Sequence, residues 1–191
     1  MSKKINAVLG LVLTTVFLIP IIYEIFAFLT FYYNPVVIRA IADSTMCIAV
    51  LHILFSAFIV FISHDKGMGM RYLKLNIRTL LQRISAIAIA VIIVLHVNAF
   101  SILKESSAKN MFLFAAVIIL QVLFYAAVLF HISVSTSNAL ITLGIVSTEK
   151  SRKRLDVIVS TVCILLFIAA SFVIVRTQLI MFSPFFSGGA V

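Results

Sequence analysis

Charge is scarce in this sequence. Only 11% of its 191 side chains are charged, against 63% hydrophobic, and just six are acidic. An ordinary soluble domain is about 25% charged and about 45–50% apolar. A soluble globular enzyme and a disordered chain are therefore both excluded, and a mean hydropathy of +1.24 points to the bilayer. Cysteine is nearly absent. Cys47 and Cys163 lie in separate apolar runs, so they form neither a disulfide framework nor a metal motif, and core thiols are expected. Proline is also rare. Only Pro20 interrupts an apolar run, whereas transporters often carry a matched pair of broken spans.

Five long apolar runs are present. At about 20 residues per span the length allows five or six membrane helices and no soluble catalytic domain. The runs are 5–33, 36–63, 80–103, 111–145 and 157–182, in one domain. The N-terminus looks like a signal n-region, but the following apolar stretch reaches Tyr33 without a small-residue cleavage site, so it is expected to remain as a span. Asn34-Pro35 is a turn signal, and polar segments 64–78, 104–110 and 148–156 separate the later runs. A Pro/Gly-containing tail ends the chain. Helices satisfy their own backbone in lipid, and short loops make sequence neighbours antiparallel. The expected fold is an all-α bundle of five transmembrane helices.

The formal net charge is +9, yet no basic domain exists to hold nucleic acid. The basic residues report topology instead. Lys3, Lys4, Lys66, Arg71, Lys74, Arg78, Arg83, Lys150, Arg152, Lys153 and Arg154 fall on the side of the N-terminus. Arg39, Lys104, Lys109 and Arg176 fall on the other. The N-terminus is thus expected in the cytoplasm and the C-terminus outside. The basic cytoplasmic face serves topology alone or also docks a soluble acidic partner.

Ionisable groups within a span are costly and mark function. His64 stands at a span boundary beside Asp65, whereas His52, His96 and His131 lie inside spans two, three and four. His52 precedes the boundary at His64 by twelve residues, a depth of roughly 18 Å. His131 precedes Gly144, the expected end of helix four, by thirteen residues, roughly 20 Å. His96 follows Thr79 by seventeen residues, roughly 25 Å, in the outer half. One turn beyond His52 and His131 stand Ser56 and Ser135; beyond His96 stands the bulky Phe100. Two imidazoles at one depth, each with a small neighbour, suit the axial positions of a haem between two helices. No Cys, Asp or Glu joins them in a tetrahedral zinc set. The competing reading is that each histidine bonds across helices to Ser, Thr or Asn.

These segments resemble the five-helix, single-polypeptide cytochrome b membrane anchor of succinate dehydrogenase and fumarate reductase. The stretch from Leu80 through Gln82-Arg83-Ile84-Ser85 to His96 resembles that family's Gln-Arg-Ile-Thr-Gly run and helix-three histidine. Phe130-His131 through Leu143-Gly144-Ile145 and on to Ser151-Arg152 resembles its helix-four segment. Leu51-His52 with Ser56 resembles its helix-two His-x-x-x-Gly, and Val8 to Leu11 resembles its first-helix opening. The resemblance covers nearly the whole chain. It implies a subunit of a succinate:quinone or quinol:fumarate oxidoreductase in the bacterial inner membrane. Electrons would pass between an iron–sulfur subunit and a membrane quinone, menaquinone in preference, with a flavoprotein subunit also on the cytoplasmic face. The chain alone would have no dehydrogenase activity. The alternatives are a haem-free anchor and a small transport-system component.

Family members of this type carry two haems. The resemblance assigns His52 and His131 to the haem nearer the cytoplasm and His96 to the outer one. The other outer ligand would stand near Ile21, but helix one has no histidine, so one b haem is expected. Glycines beside the haem faces are replaced by Ser56, Ala86 and Ser135. Arg83, with Gln82, Arg78 and Ser85, is a candidate partner for a haem propionate, or else a charge at the interface. Glu24 lies roughly 28 Å from the cytoplasmic end, near the depth of His96. The two are candidates for proton exchange with a quinone; alternatively Glu24 is hydrogen-bonded within the bundle.

Overall fold

The computed structural model describes residues 2–30, 32, 34–62, 73–106 and 110–182. Segment 63–72, which contains His64, Lys66 and Arg71, lies outside the described residues, as do Lys109 and the tail from residue 183. The described chain is almost entirely helical: α1 (Ser2–Thr30), α2 (Pro35–Ile62), α3 (Leu73–Ser106), α4 (Met111–Thr142) and α5 (Glu149–Phe182). All five helices are long and apolar enough to cross a membrane.

Local chemistry sets the helix ends. The Asn34 side chain accepts from the N–H groups of Val36 and Val37 at 3.1 and 3.3 Å. Pro35 fills the first helical position, where its missing N–H costs nothing. Asn110 caps α4 through Leu113 N–H at 3.0 Å. At the far end of α4, Gly144 takes a φ of +78°, which a β-carbon disfavours. Its N–H donates to the Ile141 carbonyl at 3.0 Å, and Ile145 N–H donates to Leu140 at 3.1 Å, closing the helix. Thr148 opens α5 by accepting from Ser151 N–H.

Two helices start well before their apolar runs. α3 begins at Leu73, not residue 80, and α5 at Glu149, not residue 157. Hydropathy marks the lipid, not the helix. Leu, Lys, Arg and Glu are good helix formers, so both helices extend past the apolar segment. α1 runs unbroken through Pro20.

The bundle is organised around α4. It packs on α3, α5 and α1; α2 packs chiefly on α1 and touches α3 only lightly. The main core joins Ile21, Ala49, Ile93, Phe124, Leu129, Ile132 and Ile174. Cys163 is buried within it, but Cys47 is exposed, because its face of α2 points out of the bundle. The outward faces are apolar as well: Ile84, Ile87 and Val91 on α3 and Ile158, Leu165 and Phe172 on α5 are all exposed. In water such faces would aggregate; in lipid they meet their own kind.

Candidate functional site

The intramembrane histidines fall into two groups, separated by depth. In the first, His131 of α4 turns Nδ1 toward α3. That nitrogen lies 2.9 Å from Ser85 Oγ and 3.1 Å from the Gln82 carbonyl oxygen. Ser85 is buried, and its hydroxyl donates to the same carbonyl at 3.0 Å. Gln82 reaches α4 again through its side chain, whose Oε1 accepts from Asn138 Nδ2 at 3.1 Å. Thus Gln82 and Ser85, one turn apart on α3, grip α4 at His131 and Asn138, two turns apart.

His52 approaches from α2. It lies ten residues from the end of its helix, and His131 lies eleven from the end of α4, so their depths match. His52 Nδ1 is buried without a hydrogen-bond partner among the described residues, and so is Ser135 Oγ, one turn from His131. A buried polar atom left unpaired costs free energy. α2 does not pack closely on α4.

His131 Nδ1 lies against the Gln82 carbonyl, the kind of partner that metal-ligating histidines commonly have at their second ring nitrogen. His52 has one ring nitrogen without a partner among the described residues, and Ser56 and Ser135 stand one turn beyond the two histidines. The four residues expected at a propionate have varied surroundings. Gln82 and Ser85 serve His131. Arg78 forms a two-pronged ion pair with Asp156 of α5, at 2.8 and 3.0 Å, and is satisfied there. Arg83 is exposed.

The second group lies nearer the opposite end of the bundle. His96 of α3 pairs its Nδ1 with Gln121 Oε1 of α4, and Gln121 Nε2 donates back to the His96 carbonyl at 3.4 Å. The ring stacks on Phe124 with centroids 4.1 Å apart and meets the edge of Tyr125 at 5.7 Å. Glu24 of α1 accepts from the Tyr125 hydroxyl. Glu24 and His96 are thus brought to one cluster with Tyr125 between them. A narrow apolar crevice lined by Ile21, Ile25, Phe28, Ala170 and Ile174 adjoins Glu24 and is too tight for a water molecule. Ile21 is buried beside this cluster, and the His96 ring is packed on Phe124.

Sequence reasoning missed Gln121 and Tyr125. They are the only hydrogen-bonding side chains between Met111 and Phe130, spaced four apart on one helix face. That isolation was the available signal. It also missed Asp156, which reads as a loop charge but sits on α5 facing Arg78.

No family model, curated protein or solved structure matches the chain.

Proposed function

We propose that this chain is the membrane-anchor cytochrome b subunit of a succinate:quinone or quinol:fumarate oxidoreductase, holding one b haem between His52 and His131. The observation that carries this reading is the pair itself: two intramembrane imidazoles at one depth, one tethered through Nδ1 and the other with a buried, unpaired ring nitrogen. A haem held there would take up and release single electrons. The chain's own part is to supply ligands, fix their orientation and keep water away. Ser56 and Ser135 leave space beside the ligands, and Arg83 is the cation best placed to meet a propionate at the cytoplasmic side.

In this reading the N-terminus is cytoplasmic, the C-terminus is outside, and the protein resides in a bacterial inner membrane. The cytoplasmic ends of α3 and α5 bear Arg83, Lys150, Lys153 and Arg154, all exposed, as a basic platform for an iron–sulfur subunit and its flavoprotein partner. The quinone, menaquinone in preference, exchanges protons with the Glu24–Tyr125–His96 cluster, which joins an acid, a phenol and an imidazole in the outer half.

The test is pyridine haemochrome quantitation with a reduced-minus-oxidised spectrum on the purified protein. About one b haem per chain is expected. A well-folded protein without haem would leave a structural anchor at most, and two haems would mean that an unrecognised ligand exists. For the outer cluster, a Glu24→Gln, His96→Leu double variant should lose quinone reactivity while retaining its haem. Unchanged reactivity would remove both residues from that role.

A further inference from the structure

We infer that the Gln82 carbonyl and the Ser85 hydroxyl hold His131 in its Nδ1–H form, so that Nε2 carries the free electron pair, and that Ser85 is a positioning residue for that ring. The reasoning begins with what each partner can do. A main-chain carbonyl only accepts. It stands 3.1 Å from His131 Nδ1, a distance at which two lone pairs would repel. The proton must therefore sit on Nδ1. Ser85 Oγ, 2.9 Å from the same nitrogen, can accept from it while its own hydrogen goes to the Gln82 carbonyl. The three groups form a closed triangle in which every donor has an acceptor. Were the proton on Nε2, Nδ1 would face the carbonyl with a bare pair, and Ser85 could correct only one side of that conflict.

The triangle is itself braced. Asn138 donates to the Gln82 side chain, so both ends of Gln82 are tied to α4. Below it, Arg78 is locked to Asp156 of α5, one turn along α3 from Gln82. The segment 78–85 of α3 is thus fastened to α4 and α5 through three side chains, Arg78, Gln82 and Ser85, and the ring of His131 is held at Gln82 and Ser85. Its free Nε2 is the nitrogen a metal would take, and hydrogen bonding at Nδ1 makes that nitrogen a stronger donor.

The tautomer follows from hydrogen-bond geometry alone; its use toward an iron ligand rests on the proposed function. Two readouts keep them apart. The first is the ring-nitrogen spectrum of the full-length protein labelled with 15N-histidine in lipid nanodiscs, with His131→Gln for assignment. His131 should show a protonated Nδ1 and a non-protonated or metal-bound Nε2; a protonated Nε2 overturns the inference, with or without haem. The second compares Ser85→Ala with Ser85→Thr. In haem-loaded protein, Ser85→Ala should weaken haem retention about ten-fold and shift the midpoint potential upward, because a less basic imidazole supports ferric iron less well. Ser85→Thr should restore both. If the wild-type chain holds no haem, the same pair is read on the nitrogens: Ser85→Ala should admit the second tautomer and Ser85→Thr should exclude it. Alanine behaving like serine in either readout overturns the positioning role.

Discussion

Each intramembrane polar residue must find a partner, and that requirement ranks the side chains of this protein. Lipid tails are as apolar as leucine, so helices here are held by packing and by interhelical hydrogen bonds. Tyr125 is almost wholly buried, at 2% exposure, and its hydroxyl is the donor seen at Glu24. Tyr125→Phe therefore strips a partly buried carboxyl of that donor and should cost about 1–3 kcal/mol, measurable by denaturant unfolding in mixed micelles. A loss near zero would mean that Glu24 is satisfied elsewhere. The histidines were legible in the sequence because depth is arithmetic on helix rise. Their partners were not. From sequence Ser85 reads as a propionate partner and Gln121 is passed over, because spacing along one helix says nothing about which face the next helix presents.

At the scale of elements, caps and clasps decide where helices end and how they are joined. The closure of α4 depends on Gly144 at φ +78°, where a side chain would cost roughly 1–2 kcal/mol. Space is not the obstacle, since nothing lies within 4 Å of an added β-carbon. Gly144→Val should thus lower thermal stability through backbone strain alone, and Gly144→Asn, which tolerates that conformation, should lower it less. The Arg78–Asp156 clasp between α3 and α5 is partly exposed, its side chains at 20% and 31%. Its worth lies between the limits for exposed and buried pairs. Arg78→Met should destabilise by about 1–2 kcal/mol in thermal unfolding, and the Arg78→Met, Asp156→Leu pair should recover part of that loss. The turn at Asn34-Pro35 and the end at Gly144 could be read directly from residue type. The early starts of α3 and α5 could not, because apolar runs report the solvent around a helix and not its length.

The whole molecule is a bundle of apolar helices whose few polar groups sort into two layers. Toward one end of the bundle His131 is held by Gln82 and Ser85, with Asn138 beside them and His52 at a matching position on α2; toward the other end His96, Gln121, Tyr125 and Glu24 bind α1, α3 and α4 together. If positive charge sets orientation as proposed, a C-terminal reporter active only outside the cytoplasm should be active, and a cytoplasmic fluorescent reporter at that end should stay dark. The two layers make different demands on a cofactor. One contains an unpaired imidazole nitrogen on His52 and a tethered ring on His131; the other has its ring stacked on Phe124 and paired with Gln121. The most direct test of the account is haem content per chain in three single variants purified under the same conditions. His52→Ala and His131→Ala should each lose the b haem, while His96→Ala should keep about one per chain. Haem retained in either of the first two, or lost in the third, would contradict the account.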